Sequence, residues 1–193
     1  ATLMNNLSPL WVALFAGLVW REKLTGKFWG GLAITLIGAI IFFGGGAIQG
    51  FNLNSGDLLA IGSSLFYAFY FLATQRSRQY LRTLVHLVPV NFVCAAALLV
   101  FNLANHYPLT GYSTTTWLTF LGAGLISQVI GYFGVGYALG SLPASVVAPS
   151  TIMSPVITTL LAIPFAGEIP QLHQWIGGFI LLGGIYWVNR AQL

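Results

Sequence analysis

The hydrophobic positions of this chain gather into long apolar runs separated by short polar breaks. Apolar runs of about 20 residues are the signal of membrane-spanning helices. Seven are predicted, at residues 2–20, 27–44, 57–75, 84–104, 115–139, 144–166 and 172–190. The breaks carry turn chemistry. Gly44 to Gly46 and the stretch 52–57 close the second connection, Asn105-His106-Tyr107-Pro108 opens the fourth, and Gly140 to Pro143 make the fifth. No soluble domain interrupts the series.

The first 43 residues are written twice. Moved forward by 146 positions, they lie without a gap on the end of the chain. Ser8-Pro9 falls on Ser154-Pro155, Glu22 on Glu168, Trp29 on Trp175, Gly31 on Gly177 and Gly38 on Gly184. A shared Ser-Pro, a shared Glu and a shared Trp-x-Gly in one register indicate an internal duplication of a two-helix unit.

Composition fixes the solvent. Hydrophobic residues are 57% of the chain and charged residues 5%, against roughly 25% charged in a soluble domain. Such a chain cannot cover a water-facing surface, so an integral membrane protein is expected. The net charge of +4 is no nucleic-acid signature, because the basic residues form no patch. They are sorted by loop instead. Arg21, Lys23 and Lys27 follow the first predicted helix, Arg76, Arg78 and Arg82 the third, and Arg190 the seventh; the loops after the second, fourth and sixth have none. Loops alternate sides, so all seven cations share one face, which the positive-inside rule makes cytoplasmic. The C-terminus is then cytoplasmic and the two copies of the duplicated unit are inverted across the membrane. An inverted repeat needs an odd number of helices. Residues 51–193 would be one complete five-helix repeat, and residues 1–50 the last two helices of an earlier one. The expected fold is therefore an all-α integral membrane protein with seven transmembrane helices, the last seven of a ten-helix bundle of two inverted five-helix repeats. Helix packing in lipid relies on small residues. Gly26-x-x-x-Gly30, Gly131 to Gly140, Gly177-Gly178 and Gly183-Gly184 are read as packing faces.

These residues resemble a known family. Ser8-Pro9, Glu22-Lys23-Leu24-Thr25 and Trp29-Gly30-Gly31 resemble the end of an EamA repeat of the drug/metabolite transporter superfamily. Gly56-Asp57 with Ala68-Phe69-Tyr70, Gly131-Tyr132 with Tyr137-Ala138, and Pro143-Ala144-Ser145 through Ser154-Pro155 and Gly167-Glu168 to Trp175 resemble a whole one. The resemblance implies ten helices in two inverted repeats and export of small metabolites, amino acids among them, across the inner membrane. One departure is Arg21, where the family usually has glycine.

No enzyme constellation is visible. Glu22, Asp57 and Glu168 all lie at predicted helix ends, Cys94 is alone, and His86, His106 and His173 are scattered and read as interfacial. No cofactor is expected. Uncharged polar residues within the runs must face the bundle interior or a cavity. They give a candidate substrate site of Asn5, Asn6, Ser8, Tyr67, Tyr70, Asn91, Gln128, Tyr132, Ser150, Thr151 and Ser154, joined by Ser63, Ser64 and Tyr137. Pro9 and Pro155 interrupt helices at matching positions of the two copies, the best sequence pointer to a transporter's central site. Amides and hydroxyls beside aromatic rings suit a neutral or zwitterionic organic solute. Asn6, a buried amide beside a proline break, and Tyr132, mid-run among glycines, lead the set. The competing reading is that serine and threonine bond their own helices and tyrosines anchor at the interface. The expected partners are a small-molecule substrate and the bilayer, with a homodimer open. The alternative function is a non-transporting membrane scaffold or sensor of the same fold.

Overall fold

The computed structural model describes residues 6–44 and 55–192, and all regular structure among them is helical. In chain order the helices are α1 Ser8–Val19, α2 Gly26–Phe43, α3 Ser55–Arg78, α4 Thr83–Ala104 and α5 Thr114–Gly122. A π-helical stretch, Ala123–Gly131, follows. Then come α6 Tyr132–Ala138, α7 Ala144–Thr151, α8 Ser154–Ala166 and α9 Leu172–Gln192. Five stretches are long and apolar enough to cross a membrane: Gly26–Phe43, Ser55–Arg78, Thr83–Ala104, Thr114–Ala138 and Ala144–Ala166. Helix α1 is apolar but short, and part of its expected run lies outside the described residues. Helix α9 has 21 residues, but His173, Gln174, Asn189, Arg190 and Gln192 dilute its apolar character.

Three boundaries differ from the sequence expectation. The run at 115–139 is not one α-helix, because its middle is wound as a π-helix. Gly122, Gly124 and Gly131 flank or interrupt that stretch and leave its backbone little restrained by side chains. The run at 144–166 is cut at Ile152-Met153. Pro155 has no N–H to offer the carbonyl of Thr151, and the turn closes instead through Ile152 N to Pro149 O (3.1 Å) and Met153 N to Ser150 O (3.2 Å). Helix α3 runs on through Arg76 and Arg78, which were expected in a loop. There the Arg78 guanidinium is held: Nε donates to Gly136 O at 2.9 Å, and Nη1 donates to Leu81 O.

The chain forms two compact units, one from residues 1–72 and 143–193 and one from residues 73–142. In the smaller unit α4 packs against α6, where a Cβ on Gly136 would meet Thr83 at 3.3 Å. His86, near the start of α4, is buried there. Its ring nitrogens bond the hydroxyls of Ser77 (2.9 Å) and Thr74 (3.2 Å).

The larger unit is built on α2 against α9. Lipid offers no hydrophobic drive for helix association, so the backbones must approach closely. A Cβ on Gly31 would stand 2.8 Å from Val188 N, one on Gly38 2.7 Å from Leu181 Cα, one on Gly177 2.6 Å from Phe42 Cα and one on Gly184 2.5 Å from Thr35 N. The partner numbers fall as the α2 numbers rise, so the helices are antiparallel. The contacts also exchange. Under the 146-residue offset the Gly31–Val188 contact becomes Gly177–Phe42, and Gly38–Leu181 becomes Gly184–Thr35. Two apolar clusters flank this seam. One contains Ala39, Phe42, Ile152, Val156, Leu181 and Ile185, the other Ala13, Phe28, Leu32 and Val188. The expected packing faces are corrected in part. Gly26, Gly30, Gly134 and Gly183 meet nothing within 4 Å, because the seam uses glycines seven residues apart on each helix rather than Gly26-x-x-x-Gly30.

The two copies end their first helix alike. Glu22 N–H donates to Ala16 O at 3.1 Å, and Glu168 N–H to Ala162 O at 3.4 Å. The residue before each glutamate is left-handed, Arg21 at φ 54° and Gly167 at φ 67°. Glycine takes that conformation freely, whereas arginine is strained in it.

Two expectations follow. Gly38→Ala or Gly177→Ala must push backbones apart and should lower stability by about 1–3 kcal/mol, while Gly30→Ala should be neutral or better; thermal unfolding of the purified variants reads this. Arg21→Gly relieves the left-handed strain and should stabilise by about 1 kcal/mol, seen as a higher midpoint in the same assay.

Candidate functional site

Within the larger unit α1 is the element that others converge on. It packs against α7. It is tied to α3 through the Trp11 indole, whose Nε1–H donates to Ser64 Oγ at 3.1 Å; Ser64 in turn donates to Ile61 O at 2.7 Å. Phe15 and Phe69 pack tilted by 31°, with centroids 5.0 Å apart. Two residues along α3, Tyr67 and Tyr70 lie parallel at 5.9 Å, with Phe71 edge-on to both. Asn6 and Ser8 at the start of α1, Tyr67 and Tyr70 on α3, and Ser150 and Thr151 on α7 thus lie on three helices in mutual contact through α1. Asn5 lies outside the described residues.

Asn6 is distinctive chemically. Among the described residues its Nδ2 is buried with no hydrogen-bond partner. Leaving a buried donor unpaired costs about 1–3 kcal/mol, so the amide calls for an acceptor from outside the described residues. The hydroxyls of α7 are committed differently. Ser150 donates to Val146 O at 3.0 Å and Thr151 to Ala148 O at 2.7 Å, which leaves their lone pairs as acceptors. Ser154 opens α8 and borders a groove with Phe42, Phe43, Thr158, Thr159 and Gln174.

Asn91, Gln128, Tyr132 and Tyr137 belong to the smaller unit. Asn91 Nδ2 donates to Leu87 O of its own helix at 3.0 Å, which leaves its carbonyl outward. Gln128 is exposed within the π-helical stretch, and Tyr132 follows that stretch, half-buried. Single π-turns inside α-helices concentrate at functional sites. Ser63 and Tyr137 are exposed. Sequence reasoning passed over Trp11, although an indole N–H inside an apolar run always needs an acceptor. It also passed over the contact of Ser145 with Glu22. Ser145 is fully buried, and its hydroxyl donates to Glu22 Oε2 at 2.9 Å. Glu22 is therefore more than a turn residue, because it bridges the first copy of the duplicated unit to α7. Among the described residues no group of histidine, cysteine or carboxylate side chains could hold a metal ion.

Comparison with known proteins places this architecture. The EamA-like transporter family matches residues 54–190. The chain belongs to that family and is a multi-pass membrane protein. It is 24% identical over 188 residues to the uncharacterized transporter YdfC of Bacillus subtilis, covering 96% of this chain and 60% of the relative. It is 27% identical over 189 residues to a riboflavin transporter of Vibrio cholerae, with the same coverage of 96% and 60%. It is 23% identical to a probable terminal-alkyne amino-acid exporter of Streptantibioticus cattleyicolor, over all of this chain and 64% of the relative. A solved crystal structure shares the fold with a TM-score of 0.80 at 19% identity, covering 99% of this chain and 66% of the other. The chain thus spans about 60% of the length of the curated relatives it matches.

Replacing the unpaired amide tests its role in folding. Asn6→Leu removes a buried orphan donor and should leave stability unchanged or raise it by about 1 kcal/mol; a loss of that size on unfolding in detergent would show that the amide has a structural partner.

Proposed function

We propose that this chain is the greater part of a secondary transporter that moves small organic metabolites, amino acids among them, outward across the inner membrane by alternating access. The observation that carries the reading is the exchanging seam between α2 and α9. Two antiparallel helices whose contacts interchange under one sequence offset are related by a two-fold axis perpendicular to both. If both helices span, that axis lies in the membrane plane, which is the relation between inverted repeats. On this reading the spans are α1, α2, α3, α4, the composite α5–α6, the broken α7–α8 and α9. The complete protein has ten, in two five-helix repeats. The basic residues put the C-terminus in the cytoplasm.

The two Ser-Pro helix starts support a solute site between the repeats. Each follows a two-residue turn, at residues 6–7 and 152–153. The turn at 152–153 interrupts a helical run, and such an interruption exposes backbone and side-chain polar groups at membrane depth only where they face protein or a cavity. Asn6, Ser8, Tyr67, Tyr70, Ser150, Thr151 and Ser154 of the larger unit would contact the solute; Asn91, Gln128 and Tyr132 are further candidates within the smaller unit, and Asn5 is a candidate outside the described residues. Amide donors, hydroxyl acceptors and stacked tyrosine rings suit a neutral or zwitterionic ring-bearing or aliphatic solute, and the named relatives handle riboflavin and an amino acid. Family and relatives are transporters rather than enzymes.

The test is efflux from cells that express the full-length gene and are loaded with labelled amino acids and small metabolites, with and without an uncoupler. Export of one solute class is expected. Asn6→Leu should lower it by about tenfold, the weight of one hydrogen bond to a polar solute, at unchanged protein level. A folded, membrane-inserted protein that moves nothing, with Asn6→Leu indistinguishable from wild type, would favour the scaffold or sensor.

A further inference from the structure

Beside the seam lies a groove that the packing does not explain. Lys27, Gly183, Tyr186, Trp187, Arg190 and Ala191 border it, and it holds about 470 Å³. Gly183, Tyr186, Trp187 and Arg190 follow one another three, one and three residues apart, which puts them on one face of α9. That face is next to the buried stripe of Gly177, Leu181, Gly184, Ile185 and Val188. Gly183 and Gly184 are neighbours with opposite roles. A Cβ on Gly184 would collide with Thr35, whereas a Cβ on Gly183 meets nothing within 4 Å. Helix contact therefore accounts for Gly184 alone, and the missing side chain at Gly183 leaves the groove floor open.

The groove is graded in chemistry along its length. At its polar end are two cations, Lys27 and Arg190, one from each helix, and among the described residues neither has an acidic partner. Lys27 lies in the first turn of α2, where the helix dipole also favours an anion. In the middle are Tyr186 and Trp187, 65% and 49% exposed, side chains that settle at headgroup level. At the apolar end is the bare backbone of Gly183, about 10 Å further along the helix at 1.5 Å per residue.

We propose that this groove binds one anionic phospholipid, its phosphate between Lys27 and Arg190 and an acyl chain laid over Gly183 between Tyr186 and Trp187. A soluble anion would use the cations but not the apolar track. A zwitterionic lipid would bring its ammonium group against two positive side chains. Basic grooves between transmembrane helices select anionic headgroups for this reason. The inference is independent of the transported solute and requires only that the chain lie in a bilayer.

Native mass spectrometry of the full-length protein, released from nanodiscs of mixed phosphatidylglycerol and phosphatidylethanolamine, reads the site directly. Wild type should retain one phosphatidylglycerol in preference to phosphatidylethanolamine by about tenfold, since each cation near an anionic headgroup contributes measurably. The double variant Lys27→Gln/Arg190→Gln, altered only at exposed positions, should lose that preference. Gly183→Phe keeps both charges but fills the floor, and should also release the lipid. Equal retention of the two lipids by wild type, or unchanged retention in the double variant, overturns the proposal. So does displacement by glycerol phosphate as effective as that by phosphatidylglycerol, which would mark a free-phosphate site. Protein dimers abolished by Gly183→Phe, with no lipid bound, would assign the groove to a second copy and equally overturn it.

Discussion

The fold depends on two helix backbones that touch. Between α2 and α9 a Cβ added at Gly31, Gly38, Gly177 or Gly184 would run into main-chain atoms of the opposite helix, so the backbones come together because these four positions have no side chains to hold them apart. In water such a contact would be a minor supplement to apolar burial. In lipid it is the main source of attraction, since a leucine loses nothing by facing an acyl chain, and only dense van der Waals contact distinguishes protein from solvent. Phe28, Phe42, Leu32 and Leu181 are buried as a result of that approach. They fill the two sides of a seam whose spacing the glycines have already set.

Much of this was legible. The apolar runs located the five membrane-capable stretches to within a few residues, and Pro9 and Pro155 marked where α1 and α8 start. The 146-residue offset paired Gly31 with Gly177 and Gly38 with Gly184, and all four lie in the seam, Gly31 against Gly184 and Gly38 against Gly177. What the sequence could not show was which glycines face a neighbour. Gly26-x-x-x-Gly30 has the spacing of a packing face, yet both positions are open, and the seam runs through Gly31 and Gly38 one residue away. A single residue turns a side chain by about 100° around a helix, so spacing alone cannot choose between adjacent stripes. The π-helical stretch was equally hidden, because its apolar pattern differs little from that of an α-helix, and only the glycines at 122, 124 and 131 hint at it. Arg76 and Arg78 were assigned to a loop by their charge. Their long stems let them remain helical while the guanidinium of Arg78 caps carbonyls outside its own helix.

The candidate site was legible in composition and less so in state. Sequence reasoning found the polar residues that a membrane helix must justify, but it could not tell spent groups from available ones. Ser150, Thr151 and Asn91 have satisfied their donors on their own helices, as small polar side chains in helices commonly do. Among the described residues the Asn6 amide has no acceptor. That difference separates a residue that tolerates its surroundings from one that awaits a partner. It singles out the start of α1, where Trp11 and Ser64 hold the neighbouring helix in place.

The duplicated units also show what such a fold leaves free. Both copies close their first helix with the same backbone bond, from Glu22 to Ala16 and from Glu168 to Ala162, through a left-handed residue. At that residue one copy has glycine, which accepts the geometry without strain, and the other has arginine, which does not. The glutamates differ as well. Glu22 receives the hydroxyl of buried Ser145, whereas Glu168 is exposed. Backbone geometry is therefore shared while side-chain chemistry diverges, and the divergence is ordered: Arg21, Lys23 and Lys27 have Gly167, Ile169 and His173 as counterparts. Under the inverted insertion proposed above, the two copies need opposite signals at their ends, because basic loops resist translocation. Glycine at position 21 would satisfy the turn; arginine there satisfies it at a cost in strain and adds a cation to the side that this reading makes cytoplasmic.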